Sequence, residues 1–183
     1  VLISMNAGIG NAVEATPLVQ AARTFWPRAH ISIQPPPGDL FDGWVVVDNV
    51  LQDADVPVGE FDMAFVCHAS KLNKLQGYAT GDVKEVEHLF GPEFLKPERE
   101  YNLDMLRGIG YGGGTPPMYV SIREPNVSLH TGRPRISLAP GGKPEAMWRN
   151  KRWPHFGELA SQLLQEYPGA ALLVLGTAHD EFP

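Results

Sequence analysis

Short apolar runs alternate with amphipathic segments along the first half of the chain. The apolar run at residues 1–5 is followed by a glycine turn and by a helical pattern that ends near Trp26. Apolar runs at residues 30–33, 44–47 and 61–67 predict three more strands, the last of them buried. Strands that alternate with helices are typical of βαβ units, so the pattern predicts an α/β domain built on a parallel sheet.

A helix and a breaker-rich stretch precede the boundary that we expect between two domains. The spacing of the apolar residues predicts a helix over residues 96–108. Glycine and proline crowd residues 110–117, which argues against regular structure there. We therefore expect a first domain at residues 1–130 and a second unit at residues 131–183.

The second unit is predicted to contain a strand at residues 135–139, a helix and a strand at residues 171–175. Pro154 suits the first turn of the helix and Pro168 lies just beyond its end. Its apolar residues recur at helical spacing: Phe156, Leu159, Ala160, Leu163, Leu164 and Tyr167. Two strands and one helix cannot stand as a domain, so we expect this unit to be the beginning of one.

Composition is that of an ordinary globular protein, with 43% hydrophobic and 20% charged residues in a chain of 183. The single cysteine, Cys67, cannot form an internal disulfide, which excludes a disulfide-stapled scaffold and argues against a cysteine-based metal site. No apolar run is long enough to cross a bilayer, and the first residues do not resemble a secretory leader. We therefore expect a cytoplasmic protein.

The charge of the chain is unevenly distributed. The net charge of −6 argues against nucleic acid as a partner, because binding to a phosphate backbone needs a basic surplus. Between residues 131 and 155, however, a single acid, Glu145, stands among six basic residues: Arg133, Arg135, Lys143, Arg149, Lys151 and Arg152. This stretch is either a local anion site or a solvated basic loop, and charge alone leaves both interpretations open.

The first glycine turn, Gly8-Ile9-Gly10, lies between a predicted strand and a predicted helix, where backbone amides can face a ligand. Val13 occupies the place of the third small residue of the dinucleotide fingerprint, and Gln34 ends the second strand where an acid is expected. A nicotinamide cofactor is therefore disfavoured. The glycines either contact a ligand or only let the chain turn sharply.

A second glycine pair, Gly141-Gly142, follows a predicted strand and precedes Lys143. Pro144 stands where a nucleotide hydrolase would have a serine or threonine for magnesium, so the segment is not a hydrolase loop. A strand end, two glycines, several bases and a helix N-terminus are instead compatible with a pyrophosphate cradle that needs no metal.

Few other residues suggest chemistry. Asp53 and Asp55 match a short acidic manganese-binding motif, but a two-residue match in a loop is common by chance. No two of the six histidines have metal-ligand spacing. Glu14 would lie close to a ligand held at the first glycine turn, or it serves only as an acid that the helix dipole favours.

Three stretches, in order along the chain, share their motifs with one known family. The first comprises GIGNAVEATPL at residues 8–18 and FWPRAHI at residues 25–31; the second is EYNLDML at residues 100–106; the third comprises LAPGG at residues 138–142, KRWP at residues 151–154 and VLG at residues 174–176. Together they resemble family 9 glycosyltransferases, which include the ADP-heptose:lipopolysaccharide heptosyltransferases.

The resemblance implies a GT-B-like fold of two Rossmann-like domains, with the acceptor on the first and the sugar nucleotide on the second. It implies an inverting transferase that moves heptose or a similar sugar from a nucleoside diphosphate donor to a glycan or lipid-linked glycan acceptor, without a metal or other cofactor. Contact with the inner membrane surface would be peripheral. The implied site residues are Gly8, Ile9 and Gly10 for the substrate, and Gly141, Gly142, Lys143 and above all Lys151 for the diphosphate.

The sequence departs from this family at the position of the catalytic base. The heptosyltransferases have an aspartate there, whereas this chain has Asn11, which cannot take a proton at neutral pH. Either Glu14 or another carboxylate serves as the base, or the protein is slow or inactive. The alternative function is a non-catalytic module that binds a glycan or a partner. A nucleotide-sugar epimerase or dehydrogenase is disfavoured by the broken dinucleotide fingerprint.

Overall fold

The computed structural model describes residues 1–5, 8–36, 38–52, 59–67, 79–85, 96–121, 134–142 and 152–176. The chain divides into two compact units, Val1–Arg123 and Glu124–Pro183. The elements of the first unit are, in chain order, β1 (Leu2–Ser4), α1 (Ile9–Phe25), β2 (Ser32–Gln34), β3 (Asn49–Val50), β4 (Phe61–Val66), β5 (Ala79–Glu85) and α2 (Glu98–Arg107). The elements of the second unit are β6 (Arg135–Leu138), α3 (Phe156–Glu166) and β7 (Ala171–Val174).

The first unit is built on a five-stranded parallel sheet in the order β3-β2-β1-β4-β5. Ile3 pairs with Ile33 on one side and with Phe65 on the other, so β1 lies in the middle of the sheet. The chain builds the sheet first in one direction, from β1 to β3, and then in the other, through β4 to β5. The predicted α/β class with a parallel sheet is confirmed.

Side chains on the two faces of the sheet enter different clusters. Ile3, Ile33 and Phe65 belong to the main core, which also contains buried residues of α1 and α2. Leu2 and Val66 face the other way, into a smaller cluster. This alternation is the period of two expected of a strand, and burial on both faces explains why apolar residues of β1 and β4 enter both clusters.

Helix α1 contains a proline in its interior, and a neighbouring hydroxyl replaces the hydrogen bond that the proline cannot make. Pro17 has no N–H to donate to the carbonyl of Val13, and the Thr16 hydroxyl donates to that carbonyl at 2.7 Å. The same hydroxyl accepts the N–H of Tyr119 at 2.8 Å. The Thr16 hydroxyl therefore satisfies the carbonyl that Pro17 leaves unpaired and ties Tyr119 to the helix.

Helix α2 packs against α1 through Leu103 and Leu106, both fully buried in the main core. It begins at Glu98, directly after Pro97, and ends at Arg107, one residue before Gly108. The predicted helix over residues 96–108 is therefore confirmed. Because its first residue comes 87 positions after Asn11 in the chain, this packing brings together side chains that the sequence separates widely.

The predicted third strand at residues 44–47 is wrong. This segment forms turns, in which the N–H of Trp44 donates to the carbonyl of Phe41 and that of Val47 to the carbonyl of Trp44. Gly43, which precedes this segment, has a φ of 70°, a conformation that favours glycine. Val45 is 92% exposed. The third strand is instead Asn49–Val50, which lies at the edge of the sheet where a short strand suffices.

The edge strand β5 was missed because its sequence, ATGDVKE, is polar. Asp82 and Val83 are both exposed in it. Gly81 is required sterically, since a Cβ there would overlap the carbonyl oxygen of Asp62 on β4, at the point where the register shifts. Polar edge strands of this kind have little hydrophobic signal to find.

The second unit contains two parallel strands, β6 and β7, and the helix α3 between them. The order strand, helix, strand is as predicted. The helix starts at Phe156, two residues later than Pro154 suggested. Of its apolar residues only Ala160 is buried, whereas Leu164 is 44% exposed. The helical spacing of the apolar residues was thus predicted correctly. Among the described residues, however, the apolar face of α3 is only partly buried.

Candidate functional site

The sheet order places a crevice at the carboxyl ends of β1 and β4. These strands are neighbours, yet the chain leaves β1 towards β2 on one side and reaches β4 on the other. Beyond the strand ends, the N–H of Met5 still donates to the carbonyl of Gln34, and that of Cys67 donates to the carbonyl of Ser4. Ligands of open parallel sheets bind where such a reversal occurs. The first turn of α1 follows β1 at this edge of the sheet.

The described part of the first glycine turn lies at this edge and is accessible. Gly8 is extended, with φ of −76° and ψ of 158°, and its carbonyl accepts the first helical hydrogen bond, from Ala12. Ile9 is 63% exposed, and a Cβ at Gly10 would meet nothing within 4 Å. Asn6 and Ala7 lie outside the described residues. That Gly8, Ile9 and Gly10 contact a substrate stays a prediction.

Asn11 binds a carboxylate that the sequence analysis did not consider. Its side-chain amide Nδ2 donates to both oxygens of Glu98, at 2.9 Å to Oε1 and 2.8 Å to Oε2. Glu98 is the first residue of α2, where the helix dipole favours a negative charge. Both side chains are half-buried. The family resemblance implies an aspartate at position 11. This chain has an asparagine there, and its side-chain amide binds the carboxylate of Glu98 on α2.

Cys67, the residue after β4, lies close enough to Glu98 for the charge of Glu98 to affect its thiol. Burial raises the pKa of the Cys67 thiol well above its usual value, and the negative charge of Glu98 raises it further. The thiol is therefore neutral at physiological pH, and a buried neutral thiol is a poor nucleophile. Cys67 is therefore an inert core thiol, and Glu98 is the nearby side chain that can take part in acid–base chemistry.

Glu14 holds the two helices of the first unit together. Its Oε2 accepts the backbone N–H of Arg99 at 3.2 Å and lies 3.8 Å from the Arg99 guanidinium. The carbonyl oxygen of Glu14 accepts the side-chain amide of Asn102, which is fully buried. A catalytic role for Glu14 stays a prediction, but its contacts are those of a residue that docks α2 on α1.

A network of charges on α2 stabilises the helix that carries Glu98. Hydrogen bonds from Thr115 and Arg107 hold the pKa of Glu100 below its usual value. Burial opposes ionisation of Asp104, but hydrogen bonds from Lys96 and Arg107 hold its pKa low as well. Both carboxylates are therefore more stable as anions in the folded than in the unfolded chain.

We expect this network to make the stability of the first unit depend on pH. Because the folded pKa values are depressed, the stabilisation is complete above about pH 5 and is lost as the pH falls through about 4 and below. Arg107→Ala should lower the free energy of unfolding at pH 7 by about 1 kcal/mol, since the pairs are partly exposed, and should flatten its decline in acid. Denaturant unfolding at pH 3 to 7 measures both, with Arg28→Ala, an exposed arginine after α1, as control. Equal pH profiles for Arg107→Ala and wild type would contradict it.

The glycine pair of the second unit follows β6, as predicted, and Arg152 forms a hydrogen bond with it. The guanidinium of Arg152 donates to the carbonyl of Gly142. Its Nε is buried with no hydrogen-bond partner among the described residues. Lys143 and Lys151 lie outside the described residues, so their diphosphate contacts, like those of Gly141 and Gly142, stay predictions.

The turn before α3 is mostly exposed. Trp153 is 49% exposed and Phe156, the first residue of α3, is partly buried. The two rings pack edge to face, with centroids 5.4 Å apart. The turn is therefore held by this aromatic pair and by the contact between Arg152 and Gly142, which are both local.

One cavity of the first unit lies away from the carboxyl ends of the strands. A cavity of about 410 Å³ lies at the opposite, amino ends of β1, β2 and β4, lined by His30, Asn49 and Glu60 among others.

In the described ranges no three His, Cys, Asp or Glu side chains form a group that could hold a metal ion. Asp53 and Asp55 lie outside these ranges, and independence from metals stays a prediction. No helix in the described part of the chain is long and apolar enough to span a membrane.

Sequence comparisons find no relative, whereas structural comparison finds several. The sequence matches no protein-family profile and no curated protein. The crystal structure of a family 9 glycosyl transferase from Veillonella parvula matches with a TM-score of 0.70 at 13% identity, over 98% of this chain and 62% of that chain. The E. coli ADP-heptose lps heptosyltransferase II matches with a TM-score of 0.61 at 17% identity, over 98% of this chain and 65% of that one.

The E. coli heptosyltransferase WaaC, solved with ADP, matches with a TM-score of 0.65 at 14% identity, over 98% of this chain and 67% of its own. The chain has the fold of family 9 glycosyltransferases. This confirms the α/β, GT-B-like fold class, because the match extends over both units. The chain spans less than two thirds of the first two structures.

Proposed function

We propose that this protein is a glycosyltransferase that moves a sugar, heptose or a similar one, from a nucleoside diphosphate to a hydroxyl of a glycan acceptor. The observation that carries the proposal is the fold shared with family 9 glycosyltransferases over 98% of the chain. The accessible glycine turn and the carboxylate bound by Asn11, both at the carboxyl edge of the sheet, support it. WaaC was solved with ADP and with ADP-2-deoxy-2-fluoro heptose, and we propose a donor of the same class here.

In the proposed reaction each unit of the chain has a separate task. The first unit holds the acceptor at the carboxyl ends of β1 and β4, where a carboxylate takes the proton of its hydroxyl. The freed oxygen attacks the anomeric carbon from the face opposite the diphosphate, so the configuration inverts. The second unit stabilises the departing diphosphate with the backbone amides of Gly141 and Gly142 and with the ammonium of Lys151. No metal takes part in this scheme.

A binding module without chemistry is the second candidate, and a specific observation favours it. Asn11 stands where the resemblance expects the base, and its side-chain NH2 group donates to both oxygens of Glu98. A protein that had lost catalysis could keep the glycan-binding surface of the fold. The two candidates make different predictions for the fate of a bound sugar nucleotide.

Product analysis tests the proposal. The longest natural chain that contains residues 1–183 should be incubated with ADP-, GDP- and UDP-sugars and with lipopolysaccharide-type oligosaccharides, and products analysed by mass spectrometry and by NMR of the anomeric proton. We expect one glycoside, with inverted configuration, and one equivalent of nucleoside diphosphate. Calorimetric binding of a sugar nucleotide or glycan without any product would favour the module. A product of retained configuration would contradict the proposed mechanism.

A further inference from the structure

The first unit contains a carboxylate that could replace the missing aspartate. We infer that Glu98 is the general base that deprotonates the acceptor hydroxyl, and that Asn11 is the residue that positions it. The inference rests on the proposed function and names the residue that performs its proton transfer. Four observations carry it: the contact between Asn11 and Glu98, its place in the fold, the occupation of Glu14 and the inertness of Cys67.

The contact between Asn11 and Glu98 fixes the carboxylate without consuming it. The Nδ2 group lies 2.9 and 2.8 Å from the two oxygens, which sets both the position and the plane of the carboxylate. A carboxylate has about four lone-pair sites, and one amide group can occupy at most two. The remaining sites can accept the proton of a hydroxyl. The half-buried side chain of Glu98 leaves room for a substrate to approach.

The position of this pair is where an acceptor would be bound. Asn11 lies in the first turn of α1, after the exposed glycine turn, and Glu98 opens α2 beside the end of β4. The pair thus bridges the two strands between which the sheet order reverses. An aspartate at position 11 could itself take the proton. With an asparagine there, the same place in the fold is served by the carboxylate that the asparagine holds.

The other groups around Glu98 are less suited to be the base. Glu14, on α1, accepts the N–H of Arg99 and faces its guanidinium, so its carboxylate is occupied in docking α2. Cys67, after β4, is buried and neutral. Arg99 follows Glu98 directly and is a cation.

The proton and the electron pairs balance in this scheme. The acceptor O–H proton passes to the carboxylate of Glu98, and the hydroxyl oxygen forms a bond with the anomeric carbon. The bond from that carbon to the diphosphate oxygen breaks, and the diphosphate departs with the electron pair. Glu98 then returns its proton to solvent. No oxidant or other co-reactant is required.

Variants of Glu98 and Asn11 test the inference by their pH–rate profiles. The chain is the longest natural one that contains residues 1–183, with the donor and acceptor found in the product analysis. Glu98→Gln, which preserves shape, should lower turnover about 10²–10⁴-fold and abolish the acidic limb of the profile. Its affinity for the sugar nucleotide should stay within about twofold of wild type, because the base does not touch the donor. Glu166→Gln, the same substitution at an exposed glutamate of α3, is the matched control and should leave turnover within about twofold of wild type.

Asn11→Asp tests the role of the pair through the pH dependence of turnover and of unfolding, which a purely structural role of Asn11 would not change. A second carboxylate against Glu98 creates a like-charge pair, so the acidic limb should shift upward by about one pH unit. In denaturant unfolding, which needs no substrate, this variant should lose stability relative to wild type as the pH rises from about 4 to 6, because the second proton leaves in that range. Glu98→Gln with turnover within tenfold of wild type, or Asn11→Asp with a wild-type pH dependence of unfolding, would overturn the inference. A wild type that binds donor and acceptor but forms no product would contradict the proposed function itself.

Discussion

Leu103→Ala is expected to lower the free energy of unfolding of the first unit by about 2–5 kcal/mol. Leu103 is fully buried in the core that α2 shares with α1 and with the sheet strands. Truncation removes one methine and two methyl groups and leaves a cavity that the close-packed surroundings fill only in part. Because α2 also carries Glu98, the variant should weaken the contact with Asn11 as well. Denaturant unfolding followed by circular dichroism measures the loss.

Leu164→Ala is the matched control for this prediction. It makes the same substitution in α3, at a side chain that is 44% exposed, and should cost no more than about 0.5–1 kcal/mol. If the two variants lost equal stability, the packing of α2 on α1 would not be the source of the stability of the first unit. The positioning of Glu98 would then need another explanation.

Lys151→Ala is expected to weaken the binding of a nucleoside diphosphate by about ten- to a hundredfold. A hydrogen bond from an ammonium to a diphosphate contributes roughly 1.5–3 kcal/mol, and the lysine has this role in the proposed donor site. Arg152, the next residue, is tied to the carbonyl of Gly142. The ammonium of Lys151 stays the proposed phosphate contact. Isothermal titration with ADP, GDP and UDP measures the effect.

Arg135→Ala provides the control for charge alone. Arg135 is exposed on β6, in the same basic stretch, and its removal changes the net charge as Lys151→Ala does. We expect it to change the affinity less than about threefold, because a distant exposed charge is screened by salt. Equal affinities for Lys151→Ala and wild type would mean that the basic stretch is only a solvated loop.

Much of the fold could be predicted because the central strands and helices of the first unit have strong local signals. Strands β1 and β4 are buried on both faces and read as short apolar runs. Helix α2 ends one residue before a glycine. Weaker signals failed in opposite ways. Residues 44–47 are apolar but form turns, in which Trp44 is buried and Val45 exposed, whereas β5 is a strand despite its polar sequence. Tertiary pairing decided both segments.

The candidate site was predictable only as far as it is local in sequence. The glycine turn and Asn11 belong to one motif after β1, so both could be recognised from the sequence. Glu98 was missed because nothing in the sequence connects it with Asn11, which lies 87 positions earlier. An acid in the first turn of a helix has an ordinary explanation in the helix dipole. Only the packing of α2 on α1 reveals that the two side chains meet.

The most direct test of the account is a crystal structure of the longest natural chain that contains residues 1–183, with a bound acceptor glycan and an unreactive donor analogue. We predict that the glycan lies at the carboxyl ends of β1 and β4, with the hydroxyl that receives the sugar about 2.6–3.2 Å from a carboxylate oxygen of Glu98. A glycan bound instead in the cavity at the amino ends of the strands, beside His30 and Glu60, would contradict the account.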